Sequence, residues 1–89
     1  MSRLEIIHLR SSGEPLESLA ERIRESIWNE GGGQAVALFR RNGLDTDIAI
    51  HIYHRRSEGA DGPSALAFNL ASALRSFGLV EHTVWEEMP

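Results

Sequence analysis

Four histidines, one tyrosine and a set of carboxylates are the groups in this 89-residue chain suited to chemistry near neutral pH. His8, His51, His54 and His82 carry the side chain whose unperturbed titration falls in the physiological range. Tyr53 lies two residues from His51, and Glu81 lies next to His82. Two imidazoles with a carboxylate would form an acceptable transition-metal set. No pair, however, has the i, i+4 helical or tight strand spacing of known metal motifs, and His51 and His54, three apart on a strand, point to opposite faces. No metal site is therefore expected. A histidine beside Tyr53 or Glu81 in an apolar pocket would instead serve as an acid or base. Other chemistries fall away on composition. The absence of cysteine excludes disulfides, thiolate nucleophiles and thiolate metal sites. All nine basic residues are arginine, so Schiff-base chemistry and a Walker-type phosphate loop are also excluded. No cofactor is expected.

These groups must be positioned by one small domain spanning residues 1–89, since 42% hydrophobic and 25% charged residues is ordinary globular composition. Leu4 to Arg10 is short, β-branched and apolar on both parities, as suits a central strand covered on both faces. Ser11-Ser12-Gly13-Glu14 breaks it, and Pro15 fits the opening of a helix. Leu16, Leu19, Ala20, Ile23 and Ile27 then make one apolar helical stripe, which Asn29-Glu30-Gly31-Gly32-Gly33 ends. Ala35 to Arg40 and Asp47 to His54 read as strands joined through Asn42-Gly43, a hairpin signal. A polar connector from Ser57 to Gly62 follows, and Pro63 opens a second helix. Leu66, Leu70, Leu74 and Phe77 form its stripe, with Ala67, Ala71 and Ala73 alongside. Gly78 closes it, and a last strand runs from about Leu79 to Glu86, with the segment to Pro89 free to extend past the sheet.

The order β-α-β-β-α-β, with right-handed crossovers, predicts a ferredoxin-like α+β sandwich. It has a four-stranded antiparallel sheet with the first and third strands central and two helices on one face. The name denotes topology only, with no iron–sulfur cluster. Ile48, Ile50 and Ile52 are expected to meet the helices together with Ile7, Leu9, Val36, Leu38, Val80 and Val84. Period-two alternation then leaves Leu4, Ile6, His8, Ala35, Ala37, Phe39, His51, Tyr53, Glu81, Thr83 and Trp85 on the uncovered face. So apolar and aromatic a patch marks an interface or a ligand site. Homodimerisation, sheet against sheet, is the commonest way to bury it.

Other constellations offer less. Gly31-Gly32-Gly33 lies between helix and strand, the wrong order for phosphate-binding glycines. Ser11-Ser12-Gly13 has the right order for a small anion but lacks the Gly-x-Gly-x-x-Gly pattern. Arg40-Arg41 and Arg55-Arg56 sit near opposite ends of the hairpin and form no single patch. A net charge of −4 and the absence of a basic-Gly-aromatic run argue against nucleic acid. Glu17, Glu21 and Glu25 form an acidic helical ridge, relieved by Arg24. With neither a signal-peptide pattern nor a long apolar run, the expectation is a cytoplasmic protein with no membrane partner. The main reading is a non-catalytic homodimeric interaction or small-ligand domain. It would use His8, Phe39, His51, Tyr53, Thr83 and Trp85 to bind an apolar or aromatic ligand. The alternative is a cofactor-independent small dimeric enzyme, oxygenase- or isomerase-like, with His51, Tyr53, His8 and Glu81 as its acid–base pocket. That alternative is drawn by analogy of fold.

Overall fold

The computed structural model describes residues 2–30, 35–54 and 64–89. The elements follow the expected order: β1 (Arg3–Ser11), α1 (Leu16–Glu30), β2 (Ala35–Arg40), β3 (Asp47–His54), α2 (Ala65–Leu74), a 3₁₀ turn (Arg75–Phe77) and β4 (Gly78–Glu86). The strands form one sheet in the order β2-β3-β1-β4 with every neighbouring pair antiparallel, so β1 and β3 are central. This is the ferredoxin-like α+β fold that the periodicity predicts. The connection 31–34, with Gly31, Gly32 and Gly33, and the segment 55–63, with Arg55, Arg56 and Pro63, lie outside the described residues.

The register fixes both faces. Ile7 pairs with Ile50 and Leu9 with Ile48 and Val80, so these side chains share the helix-facing side. They form one buried core with Ile52, Leu16, Leu19 and Ile23 of the first helix, and Ala67, Leu70, Ala71 and Leu74 of the second. Val36, Leu38, Val80 and Phe77 pack against its margin. Two inward expectations are corrected. Val84 has helix-side parity, opposite Glu5, yet stays exposed because β4 is an edge strand. Ala73 is also exposed, the buried stripe of α2 running through Ala67, Leu70, Ala71 and Leu74.

Both helix starts follow local chemistry. Pro15 precedes α1 and its carbonyl accepts from Leu19 N–H at 3.2 Å. Ser64 caps α2, its hydroxyl accepting from Ala67 N–H at 3.2 Å. Gly78 is dictated by close approach: a Cβ there would stand 2.0 Å from the Arg10 carbonyl oxygen. That contact lets β4 leave the 3₁₀ turn directly into pairing with β1. Just past the sheet Glu87 is tied back to the first described residue: its N–H donates to the Ser2 carbonyl at 2.9 Å and its carboxylate accepts from the Ser2 hydroxyl at 2.8 Å. Among the described residues no helix is long and apolar enough to cross a membrane.

Candidate functional site

Alternation along β1 and β3 places His8, His51 and Tyr53 on the uncovered face, as expected. The register sets Leu4 between Tyr53 and Trp85, Ile6 between His51 and Thr83, and His8 between Ala49 and Glu81. Phe39, Tyr53 and Trp85 are half exposed there. The His51 ring lies 4.6 Å from Phe39 and 6.3 Å from Tyr53, centroid to centroid, and both pairs are tilted. The expected pocket therefore divides along the strands. His51 and Tyr53 belong to an aromatic row with Phe39 at one end. His8 and Glu81 belong, with Thr83, Trp85, Ile6 and Phe39, to a concavity of about 360 Å³ nearer the β2–β3 loop.

The residue that gives this concavity acid–base character is Asp47, which the sequence reading did not single out. It is the first residue of β3, shares the parity of Ala49 and His51, and is only 1% exposed. Its Oδ2 lies 2.7 Å from His8 Nε2, and its Oδ1 accepts from the Thr46 hydroxyl at 2.7 Å. Arg10 and Arg41 approach at 3.5 and 3.7 Å. The Thr46 hydroxyl and His8, with the Arg10 charge, outweigh burial and hold the Asp47 carboxyl down at about 2. An ionised Asp47 accepts from His8 Nε2–H, which places the lone pair of His8 on Nδ1. A histidine oriented by a buried carboxylate is the arrangement by which a neutral imidazole becomes a positioned base.

Asp47 also has a consequence for stability. Its folded-state value is depressed from 3.8 to about 2, so its contribution is full above the unfolded value and is lost as pH falls toward about 2. Glu5 acts in the same direction. Urea midpoints are expected to be flat above about pH 5 and to drop across the acid range. Asp47→Asn should reduce that drop, whereas an unchanged acid profile in the variant would contradict the assignment.

A second polar cluster lies on the other side of the sheet, beneath the start of α2. Glu5 points among the core isoleucines and is fully buried. Its Oε2 meets His54 Nε2 at 2.5 Å and accepts from the Ser64 hydroxyl at 2.6 Å. Its Oε1 accepts from Ser64 N–H at 2.8 Å and meets His82 Nε2 at 3.2 Å. Burial pushes the Glu5 carboxyl up, but the Ser64 and His54 hydrogen bonds outweigh it and hold the group below its usual range. One carboxylate thus joins β1, β3, β4 and α2. Among the described residues no group of three or more metal-ligating side chains is arranged to hold a metal ion.

The remaining motifs resolve into local structure. Ser11 Oγ donates to the Glu14 carbonyl at 2.9 Å within the turn, and Ser12 Oγ donates to the Phe77 carbonyl at 3.1 Å in the 3₁₀ turn before β4, so both hydroxyl protons are already engaged. In the acidic ridge, Glu17 meets Arg40 of β2 at 3.7 Å.

Comparison with known proteins adds a likeness of fold. No family model matches the sequence, and no curated protein does. Among solved structures, SnoaB from Streptomyces nogalater, described as a cofactor-independent oxygenase, superposes with a TM-score of 0.63 at 18% identity. That match covers 99% of this chain and 94% of SnoaB, and a SnoaB variant gives a TM-score of 0.64 at 19% identity. Rv0793 from Mycobacterium tuberculosis superposes with a TM-score of 0.70 at 11% identity, covering 100% of this chain and 97% of Rv0793.

Proposed function

We propose that this chain is a small acid–base enzyme of the cofactor-independent oxygenase type, acting on an apolar, enolisable or phenolic substrate held against the uncovered sheet face. The observation that carries this reading is the 2.7 Å contact between His8 Nε2 and the buried Asp47 carboxylate at the wall of an apolar concavity. The likeness to SnoaB supports the reaction class, because it spans nearly the whole of both chains. In this scheme His8 Nδ1 removes a proton from the substrate, and Asp47 stabilises the imidazolium that forms. The resulting carbanion is itself the reductant for dioxygen. A methylene becomes a carbonyl, with one oxygen atom entering the product and the other leaving as water. Ile6, Phe39 and Trp85 supply the apolar walls that hold such a substrate.

Two measurements separate the halves of this reading. Incubation of a panel of enolisable and phenolic aromatics with the protein in D2O under argon reads proton abstraction as deuterium incorporation. The same panel in air reads oxygen uptake. Exchange with uptake is the expected result. Exchange without uptake would turn the reading toward an isomerase-like enzyme, and neither would overturn it.

The second reading concerns the other end of the same face, and we propose that Leu4, His51, Tyr53 and part of Trp85 pack against a second copy of the chain. Its support is the row of half-exposed aromatics, Phe39, Tyr53 and Trp85, on one face of the sheet, since a contiguous apolar patch marks an interaction surface. Light scattering is expected to give twice the chain mass, reduced to the monomer by Tyr53→Glu. A monomer at all concentrations would refute the packing and leave the concavity untouched.

A further inference from the structure

The register lays one row of side chains straight across the open face. Phe39 of β2 pairs with Ala49 of β3, Ala49 with His8 of β1, and His8 with Glu81 of β4. Three strand spacings of about 4.8 Å make the row about 14 Å long, with an aromatic ring at one end and a carboxylate at the other. All four residues line the concavity, whose apolar walls include Ile6 and Trp85. The other charges at this end of the sheet are matched. Arg10 and Arg41 approach Asp47 at 3.5 and 3.7 Å, and Asp47 accepts from His8. Arg40 lies opposite Ile48, on the helix-facing parity, and meets Glu17 of α1 at 3.7 Å. Glu81 is different. It is exposed, and among the described residues no hydrogen bond or ion pair engages its carboxylate. The indole N–H of Trp85 donates to the Thr83 hydroxyl at 2.8 Å, which draws the ring back along β4 toward Glu81. A free carboxylate beside a half-exposed indole attracts a cation twice over, by its charge and through the ring quadrupole. The chain as a whole carries a charge of −4, so its background potential favours the same sign of ligand.

We infer that the concavity selects an arylalkyl ammonium, with its ring against Phe39 and Ile6 and its positive nitrogen on Glu81 beside Trp85. Laid along the row, such a ligand carries the carbon that joins ring to nitrogen over His8. This deepens the proposed function, giving the otherwise apolar substrate one charged end, and rests on its placement of the substrate on the open face. Glu81 sets specificity and leaves the base to His8. The cavity of about 360 Å³ suits one or two fused rings with a short arm.

The test uses three probes that share a naphthyl ring: naphthylmethylammonium, naphthalenemethanol and naphthoate. Each is titrated into the whole chain at neutral pH and followed by amide and indole NMR signals. The two tryptophans give an internal control, since Trp85 lines the concavity whereas Trp28 lies on α1 and is 86% exposed. The ammonium is expected to bind about fivefold more tightly than the alcohol, with naphthoate weakest, and to move the Trp85 indole signal while leaving Trp28 in place. Glu81→Gln should abolish the preference but preserve the fold, since the residue is exposed on an edge strand. Glu25→Gln makes the same change of net charge on α1 and should retain the preference. Added salt should narrow the difference. Equal affinities, tighter binding of the alcohol or naphthoate, a preference that survives Glu81→Gln, shifts confined to Trp28, or no binding of any probe would each overturn the inference. Binding is read without turnover. A chain that prefers the ammonium yet exchanges no deuterium loses the catalytic reading and keeps this one. Exchange without any preference for the ammonium does the reverse.

Discussion

Replacing Glu5 with Ala is expected to cost about 3–5 kcal/mol of folding stability, a large share of the roughly 5–15 kcal/mol typical of a domain. The carboxylate is fully buried and receives two donors from Ser64 besides its contacts with His54 and His82. Removing it leaves the Ser64 N–H and two imidazoles to find partners in a space lined by isoleucine, and unmet donors carry their full desolvation cost. Glu5→Gln should recover only part of the loss, because its amide nitrogen would face donors rather than acceptors. Urea denaturation of the single variants and of Glu5→Ala with His54→Ala provides the check. The double variant should be more stable than the sum of the two single losses predicts, with a coupling of about 0.5–3 kcal/mol. Strict additivity would mean that the residues do not act as a unit. A Glu5→Ala chain as stable as the parent would refute the keystone role.

His8→Ala is expected to lower the rate of deuterium exchange by about 10²- to 10⁴-fold, the usual contribution of a positioned general base. Asp47→Asn tests the same unit from behind. It should lower the rate as well, because an amide can present its N–H toward His8 and so favour the wrong tautomer. The two losses should not multiply in the double variant if the residues work as one unit. His51→Ala provides the contrast, since His51 packs on Phe39 in the aromatic row rather than lining the concavity. It should weaken self-association and leave exchange within a few-fold of the parent. If His51→Ala abolished exchange and His8→Ala did not, the base would be misassigned.

Much of this arrangement was legible in residue order. Glycine and proline punctuation and the apolar periods set β-α-β-β-α-β, and the isoleucine parity of β3 chose the covered face. The same parity put His8, Phe39, His51, Tyr53 and Trp85 on the open side. The signal is strong because one misplaced residue would turn a whole strand inside out. Along that face the groups have different neighbours, His51 packing on Phe39 and Tyr53 while His8 meets Asp47. Face is a local property of alternation, whereas position along a face depends on register between strands far apart in sequence.

The partners of the ionisable residues were decided by the tertiary structure for that reason. Asp47 was visible as a strand start, but only the pairing of Arg10 with Asp47 brings it beside His8. Glu5 has inward parity on a central strand, but nothing in the sequence singled it out. His54 and His82 shared its side without any spacing that linked them. Their convergence depends on β1 lying between β3 and β4, with Arg3 opposite His54, Ile7 opposite His82, and the start of α2 above. Sequence alone determined the layers and faces through short-range sterics and hydrophobic period. Which charged group meets which was settled by strand order, because those contacts span 39 to 77 residues of chain.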